Sequence, residues 1–498
     1  MTLLVLTPLR VEAAAFGRTR DVRVLRTGMG RRRATAAAAR ARQVDARAVA
    51  VAGVCAACAP GIRAGDVVVA SELRDTDGRT IEVPGGALLV EGLRRRGLTV
   101  HVGPIASVEH IASPAERERL AEEGVLAVDM ESAWLTEAAG DRPFAVLRVV
   151  TEPAGRRLAR PIVLLDGARA LARLRKVRGA LVDWADAAGS RRIVLAGPRS
   201  FCAGVDWAIK IVERTLELRG APVYVRKQIV HNEHVVSELE ERGAVFVDEL
   251  DEVPAGATVV FSAHGVSPAV RTDAEERGLD VIDAMCPLVG KVHAEARRFA
   301  SEGRTIFLIG HDGHEEVEGT VGEAPEAMTL IEDLDDAEYV AAPDPDRVAY
   351  LTQTTLAVDE TASIVNTLRR RFPNLRGPSS ADICYATANR QQAVREIAAD
   401  CDVVLVVGSA TSSNSRRLVE VAEREGARAF LLDDETGLDT AWLRGTRTVG
   451  ITAGASAPER IVQKLVSALS SLGTVEVEER TTTTESLHFR LPKEIAVP

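Results

Sequence analysis

The chain is poor in the features that mark several large classes of protein. No apolar run in its 498 residues approaches the roughly 18 residues that a membrane-spanning helix requires, so no membrane span is predicted. Six cysteines are too few for a disulfide scaffold. Aromatic residues make up only 4%, and the formal net charge is -10. Without a basic excess or aromatic stacking platforms, a nucleic-acid partner is not predicted.

The remaining composition is that of a globular protein. Hydrophobic residues make up 46% of the chain and charged residues 27%. Its length exceeds one ordinary hydrophobic core, which predicts at least two domains. The opening run MTLLVLTPLRVEAAAF has no basic flank and predicts a buried strand, not a signal peptide. We therefore expect a cytoplasmic protein.

The pattern of apolar and polar residues divides the chain into three parts. Strand-like runs such as LLVLTP and FAVLRVV alternate with helical runs in the first 150 residues, which predicts an α/β domain with a largely buried sheet. A helix is expected near Leu171–Ala188, and DAAGSRR resembles a linker. A second α/β rhythm starts at Arg192 and runs to about Gly473. The predicted boundaries are 1–188, 189–474 and a C-terminal tail at 475–498, where helical periodicity is absent.

Three cysteines of the second domain share one local setting. Cys202, Cys286 and Cys384 each follow an extended segment and precede a helical run. The repetition predicts three similar α/β lobes related by a pseudo-threefold, each contributing one thiol. A helix N-terminus favours the thiolate form through its dipole and free N–H groups.

Converging thiols suit a metal centre. Iron–sulfur clusters are usually held by cysteine, and three thiols on a four-iron cluster leave one iron open to a substrate oxygen. Zinc without a clear fourth ligand is a weaker alternative. Three unrelated buried cysteines are the other alternative, which the repeated setting disfavours.

Polar side chains follow several strands of the same domain. The carboxyl ends of parallel strands face the ligand crevice, so these side chains are expected to meet there. They include His264, His314, Glu316, Thr354, Ser412, Ser413, Asn414 and Ser456.

A series of motifs in residues 192–473 makes the second domain recognisable. They are FCAGVD at Cys202, VHN at His231, FSAHGV at His264, CPLVGKVH at Cys286, GHDGHEEVEGT at His314, TQTT at Thr354, DICYATANRQ at Cys384, GSATSSNS at Ser412 and TAGASAP at Ser456. Together they resemble the family of 4-hydroxy-3-methylbut-2-enyl diphosphate reductases, the last enzymes of the non-mevalonate isoprenoid pathway. The resemblance implies a three-lobed iron–sulfur fold that makes isopentenyl and dimethylallyl diphosphate, with reduced ferredoxin or flavodoxin as electron donor.

The same resemblance implies a role for each matched residue. Cys202, Cys286 and Cys384 would hold a [4Fe-4S] cluster whose open iron binds the substrate hydroxyl. Glu316 would supply the proton that lets the oxygen leave as water, and Thr354 would orient the hydroxyl. The diphosphate would be bound by His231, His264, His314, Ser412, Ser413, Asn414 and Ser456.

A few positions depart from the family pattern. Ser200 and Trp207 stand where a glycine and an arginine are common, and Glu315 stands where a proline is frequent. None of them removes a cluster ligand or the acid. A cluster-bearing redox sensor is the alternative function, but a sensor needs neither a placed acid nor a diphosphate pocket.

The first domain carries looser motifs: TPLRVEAAAF, RTGMGRRRA, GVCAACAPGIRAGDVVVA, AVDMESA and RVVTEPAG. They resemble the nucleoside phosphorylase and nucleosidase superfamily, and most of all hopanoid-associated phosphorylases. The resemblance implies a purine nucleoside-type ligand. Glu12 would position the nucleophile, while Met130 and Glu131 would grip the ribose, since a carboxylate suits a vicinal diol. Glu152 stands where an aspartate usually protonates the base.

Two other interpretations of the first domain remain open. One is a 5′-methylthioadenosine/S-adenosylhomocysteine nucleosidase-like activity, and the other is a silent scaffold used for dimerisation. Cys55 and Cys58 form a CxxC without a second pair, which favours packing over a metal site.

Overall fold

The computed structural model describes residues 3–17, 19–155 and 160–495, and the chain folds into two compact units. The first unit comprises Met1–Ile193, Asp434–Val449 and Gln463–Val477, and the second comprises Val194–Asp433, Gly450–Val462 and Glu478–Pro498. The first segments of the two units meet at Ile193/Val194, and the sequence prediction places the junction at 188/189. Each unit also takes shorter segments from later in the chain, which a division into consecutive ranges does not anticipate.

The N-terminal unit is built on one eight-stranded sheet. Its elements are β1 (Leu3–Thr7), α1 (Arg10–Phe16), β2 (Val22–Arg26), α2 (Arg31–Arg42), β3 (Ala48–Ala57), β4 (Val67–Arg74), β5 (Thr80–Glu82), α3 (Val90–Arg94), β6 (Val100–Ser107), α4 (Pro114–Glu122), β7 (Ala127–Asp129), β8 (Phe144–Glu152) and α5 (Arg160–Asp186). The strand order is β2-β1-β3-β7-β6-β4-β5, and β8 pairs with both β3 and β4. Strands β3, β7, β6, β4 and β8 therefore form a closed ring, which brings the ends of β3, β7 and β8 close together.

Burial explains why these segments are strands. Every residue of β1 is buried, as expected for a strand covered on both faces. Two helix predictions differ from the structure. ESAWLTEAAG forms a 3₁₀ helix at Ser132–Ala138, and α5 begins at Arg160, before the expected Leu171. Among the described helices, none is long and apolar enough to cross a membrane.

From Arg191 onward the chain forms three further sheets. The elements are β9 (Arg191–Gly197), α6 (Ala203–Arg219), β10 (Val223–Arg226), α7 (Glu233–Glu241), β11 (Ala244–Val247), β12 (Thr258–Phe261), α8 (Pro268–Glu276), β13 (Asp280–Asp283), α9 (Pro287–Ser301), β14 (Thr305–Ile309), α10 (Glu315–Val321), β15 (Met328–Ile331), α11 (Leu334–Tyr339), β16 (Val348–Thr352), α12 (Val358–Arg371), α13 (Tyr385–Ala398), β17 (Val403–Val407), α14 (Ser413–Arg424), β18 (Arg428–Leu432), β19 (Thr448–Ala453), α15 (Glu459–Ser470) and β20 (Val475–Thr481).

The three sheets agree with the expectation of three α/β lobes. Their strand orders are β11-β10-β12-β13, β15-β14-β16 and β18-β17-β19-β9-β20. The ladders within the first two, and that between β17 and β18, are parallel. The α/β class of both domains is confirmed. Parallel strands joined through helices place their carboxyl ends, and the loops that follow them, at one edge of each sheet.

The segment interpreted as a C-terminal tail is largely ordered. Val475–Thr481 is strand β20, and Ile495 is fully buried in the core that contains Trp207. The indole Nε1 of Trp207 donates to the carbonyl of Arg490 at 2.9 Å. The interpretation differs from the structure because these contacts are long-range and have no local periodic signal. Residues 496–498 of that segment lie outside the described residues.

Candidate functional site

The three cysteines predicted to share a site line one cavity. Cys202, Cys286 and Cys384 are the N-cap residues of α6, α9 and α13. All three are free thiols that border the same cavity. Gly204 leaves room beside them, since a Cβ at this position would lie 2.7 Å from Cys286 Sγ and 3.9 Å from Cys202 Sγ.

Burial changes the expected protonation of these thiols. It raises the pKa of Cys286 to about 12 and that of Cys384 to about 11, although backbone N–H groups of the following helices act in the opposite direction. The N–H groups at the helix start favour the thiolate, as expected, but desolvation of the charged form outweighs them and the net pKa of both thiols is raised. A metal that binds here must displace the thiol protons.

A buried carboxylic acid lies on the wall of the same cavity. Glu316, in the first turn of α10, is 2% exposed. Thr354, which follows β16, donates from its backbone N to Glu316 Oε1 at 2.7 Å and from Oγ1 to Oε2 at 3.0 Å. Burial raises the pKa of Glu316 to about 7 despite these two bonds. The side chain is therefore able to hold a proton near neutral pH and release it to a bound group.

Three imidazoles gather at another part of the wall. His231 and His264 are stacked with ring centroids 4.2 Å apart, and His314 meets them edge-on at 5.6 and 5.8 Å. The Nδ1 atom of His314 accepts from Glu316 N at 3.1 Å. Burial, and then the neighbouring His264, lower the pKa values of His231 and His314 to about 3. At neutral pH these two rings are neutral hydrogen-bonding groups.

The predicted serine and asparagine residues border the cavity at the start of α14. Ser412 is the N-cap residue, and its side chain accepts from a backbone N–H of the first turn. The amide of Asn414 accepts from Ala455 N at 2.9 Å, and Ser413 Oγ contacts a backbone carbonyl at 3.4 Å. Ser456 Oγ donates to the His231 carbonyl at 3.2 Å. The structure thus brings every residue predicted for this site to one cavity.

Two further residues contribute to the site and were not predicted for it. Thr387 donates from N to Cys384 Sγ at 3.4 Å, and its Oγ1 lies 3.1 Å from the same sulfur. The spacing Cys-x-x-Thr at a helix start predicts this contact, because the third residue after an N-cap faces the capping side chain. Glu315 contacts Ser262 and His264 with a carboxylate oxygen at 3.4 and 3.2 Å. Glu315 stands where a proline is frequent, but its contacts with Ser262 and His264 join distant parts of the chain and leave no signal in the sequence.

The N-terminal unit has its own cluster of buried ionisable groups, around Arg148. This guanidinium is fully buried and pairs with Asp129 at 2.8 Å and Glu131 at 3.0 Å. A Cβ on Gly53 would lie 2.5 Å from Arg148 Nη1 and 3.0 Å from Glu12 Oε1, so the glycine makes room for both. Burial raises the pKa of Glu131 to about 7, although Arg148 opposes the shift. The predicted Glu12 and Glu131 therefore belong to one network.

Glu12 itself is held firmly in place. It is fully buried, and its carboxylate accepts from Thr7 Oγ1 at 2.9 Å, Leu9 N at 2.8 Å and Val54 N at 2.9 Å. A carboxylate with several donors keeps one orientation. Such a group suits a role in positioning a nucleophile.

Other predicted residues of the N-terminal unit lie around this network. Met130 is half-buried between Asp129 and Glu131. Glu152 lies further along β8 and pairs with Arg117, which is 2% exposed, at 2.9 Å. Cys55 and Cys58 are buried free thiols, in agreement with packing.

Comparison with known proteins places this geometry in a family. Residues 193–470 match the model described as LytB protein. The chain belongs to the LytB family. It is 58% identical over 320 residues to the 4-hydroxy-3-methylbut-2-enyl diphosphate reductase of Leifsonia xyli, which covers 64% of this chain and 95% of that protein. The reductase of the same name from Bordetella pertussis is 57% identical over 306 residues, 61% of this chain and 94% of that protein.

A solved structure agrees with this assignment. The E-1-hydroxy-2-methyl-but-2-enyl-4-diphosphate reductase of Plasmodium falciparum is 38% identical, with a TM-score of 0.59, and covers 62% of this chain and 97% of that one. Residues 6–182 match the model described as Phosphorylase superfamily. The chain therefore fuses a phosphorylase-superfamily domain to a LytB domain.

LytB proteins are iron–sulfur enzymes, and the donor set of this LytB chain fits such a group. Three soft sulfur ligands border one cavity, and Gly204 keeps the space beside Cys202 and Cys286 clear of a side chain.

Proposed function

We propose that the LytB domain reduces 4-hydroxy-3-methylbut-2-enyl diphosphate to isopentenyl and dimethylallyl diphosphate. The observation that carries the proposal is the composition of a single cavity. Three helix-capping thiols, a buried protonatable glutamate and a set of neutral hydrogen-bonding groups border the same space. The 58% identity to a reductase of that name supports the substrate.

In this proposal Cys202, Cys286 and Cys384 hold a [4Fe-4S] cluster. When bound, such a cluster supplies electrons one at a time and an open Lewis-acidic position for an oxygen ligand. The thiol protons of Cys286 and Cys384 leave when the cluster binds, because a thiolate is the metal ligand.

Glu316 acts as the proton donor to the departing hydroxyl oxygen. Burial raises the pKa of its carboxyl group to about 7, so the protonated form is available near neutral pH. Thr354 fixes the orientation of that carboxyl group through two hydrogen bonds. The Thr354 hydroxyl is also the group that orients the hydroxyl of the substrate.

Hydrogen-bonding side chains hold the diphosphate. His231, His264 and His314 border one part of the cavity, and Ser412, Ser413, Asn414 and Ser456 border another. The free N–H groups at the start of α14 add to this set, because a helix N-terminus stabilises phosphate oxygens. A pocket rich in donors binds a polyanion without a cluster of lysines.

The electron donor is proposed to be reduced ferredoxin or flavodoxin. Such donors are proteins of a reducing compartment, and within the described residues no disulfide joins the cysteines. We propose the cytoplasm as the location on this basis.

The proposal is tested on protein purified without oxygen. We expect a brown holoenzyme with about four irons per chain, which converts the substrate when supplied with reduced ferredoxin or flavodoxin. Cys286→Ser is expected to lose cluster and turnover together. Cys401→Ala, which removes a buried thiol in a separate core cluster, is the matched control. A Cys286→Ser protein with wild-type iron content and turnover would contradict the proposed ligands.

A second activity is proposed for the N-terminal domain, favoured by the buried network of Glu12, Glu131 and Arg148. The domain would cleave the glycosidic bond of a purine nucleoside-type ligand, with Glu12 on the nucleophile, Met130 and Glu131 on the ribose and Glu152 at the base. Hopanoid side-chain nucleosides and methylthioadenosine-type nucleosides are the candidate ligands. We expect wild-type protein to release adenine from one class and Glu12→Gln to release none. If the wild-type protein releases adenine from neither class, the result would favour a scaffold role for this domain over nucleoside cleavage.

A further inference from the structure

A carboxylate lies where the proposed function places a polyanion. The side chain of Glu315 is 15% exposed, and its Oε2 atom lies 3.2 Å from His264 Nδ1. Burial alone would raise the pKa of Glu315, but its hydrogen bond with His264 and neighbouring positive charge outweigh burial and lower the pKa to about 2. Glu315 is therefore negative at neutral pH, and like charges repel strongly in a buried pocket.

The hydrogen bond to His264 fixes which ring nitrogen carries the proton. An ionised carboxylate only accepts, so His264 Nδ1 must be the donor. Within the described residues, the ring of His264 makes its hydrogen bonds through Nδ1, to Glu315 and Ser262. The neutral ring then has a lone pair on Nε2, which repels a phosphate oxygen.

His314 has the opposite arrangement. Its Nδ1 atom accepts from the backbone N of Glu316 at 3.1 Å, so the neutral ring carries its proton on Nε2. This ring donates to an anion without any change of protonation. The two histidines of one pocket therefore meet a diphosphate in different ways.

Several titratable and charged groups surround His264. Its stacked neighbour His231 and its edge-on neighbour His314 are neutral, with pKa values lowered to about 3 by burial and then by His264. Glu315 and Glu316 are the acids of α10 that act on this ring. Two cations act on the surrounding groups: Lys227, which follows β10, on Glu315, and Arg416 of α14 on the other two imidazoles.

We propose, on the basis of the proposed diphosphate-binding function, that Glu315 is a positioning residue. It holds His264 through Nδ1, so that the ring donates from Nε2 to the diphosphate only as an imidazolium that has bound one proton from solvent. The carboxylate compensates the added charge, and binding is coupled to protonation. No bond other than N–H forms, and no electrons move.

Glu315→Gln tests the proposal because the side chain keeps its shape and loses its charge. An amide can donate to Nδ1, which lets the neutral His264 ring carry its proton on Nε2. The affinity of the holoenzyme for inorganic pyrophosphate is measured by calorimetry in EDTA from about pH 6.5 to about pH 9. We expect the variant to take up one proton fewer than wild type when it binds pyrophosphate, so that its affinity changes less with pH. At neutral pH the affinity is expected to fall about tenfold, as for one lost charge-assisted hydrogen bond. The KM for the substrate should rise by a similar factor, while kcat changes little.

Two further variants keep the test decisive. Glu318 lies on the same helix, and its side chain is 52% exposed. Glu318→Gln should therefore bind pyrophosphate with the pH dependence of wild type. Glu315→Pro removes the carboxylate at the first helical position, which tolerates proline, and should repeat the loss of pH dependence if Glu315→Gln folds poorly.

The outcomes separate the positioning role from the proposed function. If wild type and Glu315→Gln show the same pH dependence, the positioning role is wrong while the reductase function stands. His231, His264 and Glu315 each have one potential ligand atom, an imidazole nitrogen or a carboxylate oxygen. These three atoms lie within 4.8 Å of one another, close enough to hold a metal ion. A pyrophosphate affinity that EDTA abolishes and a divalent cation restores only with Glu315 present would therefore overturn the positioning role in favour of a cation bridge. Wild-type holoenzyme that neither binds pyrophosphate nor turns over substrate would overturn both proposals.

Discussion

Thr354→Val changes the acidity of Glu316 in a direction that the structure determines. The Thr354 hydroxyl donates to Glu316 Oε2 at 3.0 Å, and this bond stabilises the carboxylate against the burial that raises its pKa to about 7. Valine keeps the shape of threonine and removes the donor. The pKa of Glu316 should therefore rise further.

The size of the change follows from the strength of one hydrogen bond to a charged group. A bond worth about 1.5 kcal/mol corresponds to roughly one pKa unit. Because Glu316 acts as the protonated acid, activity is lost as the pH rises through its pKa. The alkaline limb of kcat/KM should move from near pH 7 to near pH 8, and the protonated fraction at pH 8 should rise from about 10% to about 50%.

The assay is the pH profile of kcat/KM of the holoenzyme, which reports groups of the free enzyme. The height of the profile should fall, since Thr354 also orients the substrate, so the position of the limb is the readout. Thr354→Ser keeps the hydroxyl and should keep the wild-type limb. Thr352→Val removes a buried neighbouring hydroxyl that donates to a backbone carbonyl, and it should also leave the limb in place. A Thr354→Val limb that stays still or moves to lower pH would refute the reasoning.

Two other predictions concern parts of the chain away from Glu316. Glu485→Gln should lower the free energy of unfolding, measured by thermal denaturation, by about 3 kcal/mol, because it leaves the fully buried Arg390 without its 3.0 Å ion pair. Glu479→Gln is the control, since its side chain is 58% exposed, and it should lower the free energy of unfolding by less than about 1 kcal/mol. Cys55 and Cys58 should resist alkylation in the native protein, since burial raises the pKa of both thiols, that of Cys58 to about 12. Rapid labelling of either thiol, detected by mass spectrometry before unfolding, would show that the pair is accessible.

The sequence predicted which residues meet at this cavity because they follow local signals. Cys286 precedes a proline-initiated helix, His264 follows an apolar strand, and Ser412 begins a helix. Each of these positions is recognisable from a few neighbouring residues. The α/β rule that parallel strands end at one edge then brings distant positions together without knowledge of the contacts.

The features that sequence did not predict depend on contacts between distant residues. The ion pairs of Arg148 with Asp129 and Glu131 join different strands and turns. Ile495 is buried in a core formed mainly by much earlier residues. The raised thiol pKa of Cys286 comes from burial, which depends on the whole fold. No periodic or motif signal encodes any of these.

Glu315 and Glu316 show how far environment, as opposed to residue type, determines acidity. They are adjacent in the first turn of α10, yet their pKa values are about 2 and about 7. Burial raises both, and more so for Glu316, which is 2% exposed, while the partners of the two groups also differ. Glu315 Oε2 lies 3.2 Å from His264 Nδ1, whereas the carboxylate of Glu316 accepts from the backbone N and the hydroxyl of Thr354. Two neighbouring carboxyl groups of different acidity can divide the work of one reaction, and we propose that Glu315 orients a histidine toward the diphosphate while Glu316 releases its proton at the hydroxyl.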